Sequence, residues 1–186
     1  LEQIEISSEH LLSLINDVLD MSRIESGKVS IEETLVSLPS IIHDIRNIIQ
    51  SDASNKQLNL QLDTLDVRNE SVWCDKLRLS QILLNCLSNA IKFTPPNGTV
   101  GLVVKQIESD EDGYARYDFH IHDTGIGMSP EFQKVIFEPF TRERTSTVSG
   151  IPGTGLGMSI TRNIVEMMNG RIQLESKQNQ GTVLTI

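Results

Sequence analysis

The segment that decides the fold reads Gln81-Ile-Leu-Leu-Asn-Cys-Leu-Ser-Asn-Ala-Ile-Lys-Phe-Thr94. Its apolar residues, with one just upstream, recur at the spacing of a single helix face: Leu79, Ile82, Leu83, Cys86, Leu87 and Ala90. Asn85, Asn89 and Lys92 are four and then three residues apart, so they form one polar stripe beside that face. The stripe is either the solvated edge of a core helix or one wall of a pocket. Asn is a poor helix former, and two Asn in mid-helix favour the pocket.

The composition indicates an ordinary globular protein. Its 186 residues are enough for one domain with an appendage and a sizeable core. The 25 acidic and 16 basic residues give a net charge of -9, which argues against a nucleic-acid or anionic-membrane surface. No apolar run reaches the length of a membrane span and no signal peptide opens the chain, so we expect a cytoplasmic location. The chain starts without Met and ends straight after a strand-like run, so we expect a fragment of a longer protein.

The remaining segments predict one long helix followed by a domain that contains both helices and strands. Residues 1–25 form the first predicted helix, with an apolar strip suited to a partner helix and Gly27 as its C-cap. Further helices are predicted to begin near Ser37, Asp75, Ser129 and Gly153. Strands are predicted over residues 28–36, 58–62, 71–74, 99–107 and 114–122, with two more within 170–186.

A first glycine-rich segment, Asp123-Thr-Gly-Ile-Gly-Met, follows a predicted strand. The Asp carboxylate accepts hydrogen bonds only, and it suits the exocyclic amine of adenine. Guanine presents a carbonyl at that position, which would leave a buried carboxylate unpaired. The glycines let a flat ligand approach the backbone. The alternative is a tight turn that begins with Asp.

A second glycine-rich segment, Gly153-Thr-Gly-Leu-Gly-Met, ends an aperiodic run and opens a helix. Backbone N–H groups at a helix N-terminus bind phosphate, although a flexible turn has the same composition. The Walker pattern is absent, as is the His-Arg-Asp loop of eukaryotic-type protein kinases. With Asp123 and the stripe on the central helix, the segment predicts a Mg-nucleotide site in which Lys92 offsets phosphate charge.

Four motifs in this order resemble the N, G1, F and G2 boxes of sensor histidine kinases. They are Asn85-x3-Asn89-Ala-x-Lys92-Phe93-Thr94, Asp123-x-Gly125-x-Gly127, Phe137-Glu-Pro-Phe140 and Gly153-x-Gly155-x-Gly157. Residues 14–28 resemble the end of the second dimerisation helix and its junction in hybrid-type members. The resemblance implies an α+β fold of the GHKL (Bergerat) type, a two-layer sandwich in which three helices pack on one side of a mixed sheet. It also implies a division into a dimerisation-helix part, residues 1–27, and a catalytic ATP-binding domain, residues 28–186.

The resemblance implies roles for individual residues. Asn89 is expected to coordinate Mg²⁺, with Asn85 supporting the same site. Lys92 is expected to contact phosphate, and Phe93 to pack near the nucleotide. Asp123 is expected to hold the adenine amine.

Further implied roles concern the lid and its surroundings. Arg142 is a candidate for the γ-phosphate and joins Asn85 and Lys92 as an expected catalytic residue, with Arg144 as a weaker candidate. Residues 141–153 are the expected ATP lid, and Thr182 is expected near the adenine through a water. The other expected cofactor-binding residues are Gly125, Gly127, Met128, Phe140, Gly153, Thr154, Gly155, Leu156, Gly157 and Met158.

The chain departs from the family pattern at the phosphoacceptor. The box in which His is followed by Glu or Asp is missing, and His10 does not replace it because it lies on the second-helix segment without that motif. We therefore expect the fragment to bind ATP and to transfer the γ-phosphoryl group to a histidine outside it. The implied partners are the dimerisation hairpin that carries this histidine, a downstream response regulator and, in the full-length protein, a second copy. The implied location is the cytoplasmic part of a membrane-anchored sensor.

An alternative function is an ATPase of the same superfold, driven by hydrolysis. ATPases that resemble the central helix carry Glu where Asn85 stands, as the general base for water. A carboxamide cannot accept that proton, so Asn85 favours transfer over hydrolysis.

Overall fold

A computed structural model of the chain describes residues 2–27, 29–109, 111–143 and 153–186. The helices are α1 (Glu2–Glu25), α2 (Leu38–Asn55), α3 (Lys76–Phe93), α4 (Pro130–Gln133) and α5 (Gly157–Met167). The strands are β1 (Thr34–Ser37), β2 (Asn59–Asp66), β3 (Ser71–Cys74), β4 (Thr99–Ile107), β5 (Arg116–Asp123), β6 (Gln173–Lys177) and β7 (Gly181–Thr185). In this part of the chain no helix is both long enough and apolar enough to cross a membrane.

Five strands form a mixed sheet in the order β2-β4-β5-β7-β6. Strand β2 runs parallel to β4, and the other neighbours are antiparallel. Strands β1 and β3 form a separate antiparallel pair. Because β5 is the central strand, its last residue, Asp123, lies between Val100 of β4 and Thr182 of β7. The register therefore brings Asp123 and Thr182 side by side.

Helices α2, α3 and α5 supply the apolar layer that packs on the sheet, which confirms the predicted two-layer α+β fold. Leu83 and Leu87 of α3 are fully buried against a core that includes Val100, Leu102 and Val104 of β4. The next face of α3, at Ile82, packs with buried residues of α5 in a second cluster. Helix α3 thus packs on the sheet with one face and on α5 with another, which leaves it little freedom to rotate.

Some boundaries differ from those predicted. The strand predicted over residues 28–36 is shorter, Thr34–Ser37, because the Glu32 N–H donates to the Asp75 carboxylate. Helix α5 begins at Gly157 rather than Gly153, since Gly155 has a φ of +75° that no right-handed helix contains. Residues 144–152 of the expected lid, with Arg144, lie outside the described residues, as does the side chain of His10.

Asp75 joins the start of α3 to the segment that enters the domain. Its Oδ1 accepts a hydrogen bond from the Arg78 N–H at 3.0 Å, as an N-cap does. Its Oδ2 accepts from the Glu32 N–H at 3.0 Å. The residue is 5% exposed, so both donors would lose their partner if the carboxylate were removed.

Asp75→Ala is expected to lower the free energy of unfolding by about 2 kcal/mol, from a lost cap and a second unpaired donor. Asp75→Asn keeps one acceptor oxygen and is expected to lose about half as much. Asp44→Ala is the matched control, because its 2.9 Å ion pair with Lys76 is half-exposed and contributes less than about 0.5 kcal/mol. Urea denaturation measures all three, and equal losses for Asp75→Ala and Asp44→Ala would contradict the bridging role.

Candidate functional site

A cavity of about 370 Å³ opens between α3, the ends of β5 and β7, and the two glycine-rich segments. Its volume falls in the range usual for small-molecule sites. The cavity brings together most of the residues that the sequence singled out: Asn85, Asn89, Lys92, Phe93, Asp123, Gly127, Met128, Arg142, Gly153, Thr154, Gly155, Gly157, Met158 and Thr182. These residues come from four parts of the chain that only the fold makes neighbours.

Three of the expected residues do not line the cavity. Gly125 is buried in the turn after β5, Leu156 is buried in the core, and Phe140 is 70% exposed. Phe140 has a φ of +60°, and a Cβ on Gly155 would lie 2.9 Å from its carbonyl carbon. In this structure the F box therefore packs against the backbone of the second glycine-rich segment.

Asp123 is held by backbone donors on two sides. The Gly125 N–H donates to its Oδ1 at 2.7 Å, and the Thr182 N–H also donates to the carboxylate. A Cβ at Gly125 would lie 2.6 Å from that oxygen, so glycine is required for the contact. Burial raises the pKa of Asp123 above its ordinary 3.8, while the two backbone hydrogen bonds oppose the shift. The two hydrogen bonds thus orient the carboxylate, but they offset only part of the cost of burying its charge.

The backbone after Asp123 fits closely between two other elements. Gly127 has a φ of +61°, and a Cβ there would overlap the carbonyl of Lys177. The Ile126 N–H donates to the Phe93 carbonyl at 3.2 Å, and the Asn179 N–H donates to the Ile126 carbonyl at 2.7 Å. The first glycine-rich segment therefore connects the end of α3 to the turn between β6 and β7.

The polar stripe of α3 faces the cavity and α5. Asn85 Nδ2 is 3.4 Å from both the Gly157 carbonyl and Thr161 Oγ1, to which it donates. These contacts join α3 to the first turn of α5. Asn89, one turn further along, is half-buried in the cavity wall. The stripe therefore forms one wall of a cavity, as the second of the two alternatives predicted.

Lys92 and Arg142 are cations that line the cavity. Burial lowers the pKa of Lys92, and the neighbouring charge of Arg142 lowers it further. Lys92 Nζ lies 5.0 Å from the centroid of the Phe93 ring, in a cation–π contact. A Cβ on Gly153 would lie 2.7 Å from the same nitrogen. A bound anion would relieve the repulsion between Lys92 and Arg142.

Sequence reasoning missed two polar residues at the site. Asp17 of α1 lines the cavity, and its Oδ2 accepts a hydrogen bond from Thr154 Oγ1 at 2.9 Å. Ser176 Oγ lies 2.9 Å from Thr182 Oγ1 and accepts from the Met128 N–H at 3.0 Å. Ser176 lies outside the four boxes, and Asp17 lies in the helix segment 14–28, 137 positions from Thr154. Their position depends on tertiary packing, for which the sequence has no signal.

The donor set fits a nucleotide. In one cavity, Asp123 offers an acceptor and Met158 an apolar surface, while Lys92, Arg142 and glycine N–H groups offer positive charge. The described residues contain no group of three or more His, Cys, Asp or Glu side chains that could hold a metal alone. The amide oxygens of the stripe are donors that Mg²⁺ accepts when phosphates and water complete its coordination.

Residues 74–186 match the model of the histidine kinase-, DNA gyrase B- and HSP90-like ATPase family. The chain belongs to this family. The circadian input-output histidine kinase CikA of Synechococcus elongatus is 41% identical over 100% of this chain and 24% of its own length. The autoinducer 2 sensor kinase/phosphatase LuxQ of Vibrio parahaemolyticus is 36% identical over 97% of this chain and 21% of its own length.

A solved structure supports the same assignment. Full-length ShkA, in complex with AMPPNP, superposes with a TM-score of 0.82 at 29% identity, over 99% of this chain and 36% of that chain. The chain therefore spans between about a fifth and a third of the lengths of these relatives. Within the ATPase family, it is homologous to the catalytic ATP-binding domains of sensor histidine kinases, which confirms the predicted family, fold and ATP-binding class.

The burial of Asp123 has a measurable effect on the pH dependence of stability. Because folding raises the pKa of Asp123, the folded state holds this proton more tightly, and stability falls as pH rises through that pKa. Asp123→Asn removes this dependence. The stability of the variant relative to wild type is therefore expected to increase from about pH 4 to about pH 7. Denaturant titration at several pH values measures it; a constant or decreasing difference would show that the pKa is not raised.

Proposed function

We propose that this chain is the catalytic fragment of a longer sensor histidine kinase, which binds Mg-ATP and transfers the γ-phosphoryl group to a histidine outside the fragment. The observation that carries the proposal is Asn85. Its carboxamide lies in the cavity wall, where an ATPase of this superfold would need a carboxylate to activate water. Its NH₂ group already donates toward Gly157 and Thr161.

In the proposed site the adenine binds at Asp123. Its exocyclic amine donates to the carboxylate that Gly125 and Thr182 hold in place. This partner offsets the desolvation of the carboxylate, whereas guanine would offer it an acceptor. Thr182 contributes from the adjacent strand through a water, and Phe93 and Met158 supply apolar contact.

The phosphates bind at the other part of the cavity. Lys92 and Arg142 neutralise their charge, and the Gly153–Gly157 segment offers backbone N–H groups. Asn89 is the proposed protein ligand of Mg²⁺, with Asn85 supporting the same site. When bound, Mg²⁺ supplies charge neutralisation and orientation of the phosphates.

The exposed face of α1 indicates which partners the chain binds. We propose that residues 1–27 end the second dimerisation helix and that residues 28–186 form the catalytic domain. Five apolar side chains of α1 are about half-exposed and suit partner helices, including one that carries the phosphoacceptor histidine: Leu11, Leu12, Ile15, Val18 and Leu19. The other proposed partners are a second copy of the protein and a response regulator that receives the phosphoryl group. The proposed location is the cytoplasmic part of a membrane-anchored sensor.

The test of function is phosphoryl transfer in trans. A separate helical-hairpin fragment bearing the phosphoacceptor histidine is mixed with this chain and γ-labelled ATP. We expect acid-labile label on the hairpin, and at least about a hundredfold less with Asp123→Asn, since an unpaired adenine amine costs a few kcal/mol. Steady release of labelled phosphate without labelled hairpin would instead support the ATPase.

The metal role of Asn89 is tested separately by nucleotide binding. In wild type, Mg²⁺ is expected to tighten binding of a non-hydrolysable ATP analogue. Asn89→Ala is expected to remove about tenfold or more of this effect, because the metal loses its proposed protein ligand. Ser80→Ala is the control, since Ser80 lies on the same helix and does not line the cavity. If Mg²⁺ still tightens binding to Asn89→Ala as in wild type, Asn89 is not the ligand.

A further inference from the structure

One stripe of α1 packs against the catalytic domain. It consists of Asp17, Asp20, Met21 and Ile24, spaced as one helix face. Met21 and Ile24 pack on the apolar cluster formed by α3 and α5. Asp20 Oδ2 accepts a hydrogen bond from Gln81 Nε2 at 2.9 Å. Helix α1 is thus docked by apolar contact and by a polar contact outside the cavity.

Asp17 differs from the rest of the stripe because it reaches the cavity. Its Oδ2 accepts from Thr154 Oγ1 at 2.9 Å, and that hydroxyl in turn accepts from the Leu156 N–H at 3.1 Å. The chain of hydrogen bonds connects α1 to the glycine-rich segment immediately before α5. Any ligand that moves this segment also acts on the contact with α1.

The charge of Asp17 is unfavourable for an anionic ligand. Lys92, Arg142 and the N–H groups of the glycine-rich segment line the same cavity, so the carboxylate shares it with the proposed phosphate site. Burial raises the pKa of Asp17, the Thr154 hydrogen bond opposes this shift, and the charge of Asp20 adds to it. The charged form of Asp17 is therefore partly desolvated, and a second negative charge nearby would disfavour it further.

We propose that the Asp17–Thr154 hydrogen bond is an autoinhibitory contact, which holds α1 on the catalytic domain and which a bound polyphosphate opens by charge repulsion. The inference rests on the proposed nucleotide site. Coupling between two equilibria is reciprocal, so docked α1 weakens polyphosphate binding by the factor with which polyphosphate weakens docking. Adenosine, which has no phosphate, leaves the contact closed.

The experiment compares Asp17→Asn with Asp20→Asn in the 186-residue chain. Both variants remove one carboxylate from the same stripe of α1, but Asp17 lines the cavity and Asp20 accepts from Gln81. Asn at position 17 retains an oxygen that can accept from Thr154, so the change removes the charge with little change in shape. The two readouts are hydrogen exchange of α1 amides by mass spectrometry and calorimetric affinity for AMPPNP and adenosine.

In wild type, AMPPNP is expected to speed exchange in α1, whereas adenosine is not. Asp20→Asn is expected to keep this response, and Asp17→Asn to lose it. Asp17→Asn is also expected to raise the ratio of AMPPNP affinity to adenosine affinity by about fivefold or more, the usual lower range of coupling between sites. Without ligand, Thr154→Val is expected to speed α1 exchange more than Thr154→Ser, which keeps the hydroxyl.

The experiment distinguishes failure of the autoinhibitory contact from failure of the proposed nucleotide site. If wild type binds AMPPNP and α1 exchange does not increase, or if both Asp variants respond alike, the autoinhibitory contact is contradicted while the nucleotide site stands. If wild type binds neither AMPPNP nor adenosine, the proposed function is contradicted, and the contact has no ligand to open it. Circular dichroism of each variant checks that the fold is retained.

Discussion

Helix α3 is buried on two faces, one against the sheet and one against α5, and this packing positions most of the cavity wall. Leu83 and Leu87 are fully buried on one side, and Ile82 is buried against α5 on another. Because interiors are close-packed, a helix fixed on two faces cannot rotate to relieve an unfavourable polar group. Asn85 and Asn89 are thereby held at the cavity even though Asn lowers helix propensity. The packing of α3 on two faces therefore both stabilises the core and orients the polar stripe.

The glycines after β5 have a different role, which is to let backbones approach one another. Gly125 places its N–H on Asp123, and Gly127 passes the carbonyl of Lys177 where no side chain fits. The cavity carries a carboxylate whose pKa is raised by burial and a lysine whose pKa is lowered by burial and by a neighbouring arginine. For both groups, desolvation disfavours the charged form. In the proposed function, an amine donor and an anionic group of the ligand would favour these charged forms.

Helix α1 is held against the rest of the chain by apolar contacts and by hydrogen bonds. Met21 and Ile24 pack on the cluster of α3 and α5, and Asp17 meets the glycine-rich segment through Thr154. A helix that contacts this segment and lines the cavity is placed to respond to what the cavity binds. This arrangement links two parts of the chain that a motif-based description treats as separate.

Local sequence was enough to predict the periodicity of α3, its N-cap at Asp75, the turn glycines and the order of the boxes, because each depends on residues close together in the chain. The folded structure was needed to find Asp17 in the cavity wall, Ser176 in contact with Thr182, and Phe140 outside the cavity lining. It also decided that the strand before α2 is short, since Glu32 pairs with a carboxylate 43 residues away. Contacts of this kind depend on how whole elements pack, and local spacing carries no information about that packing.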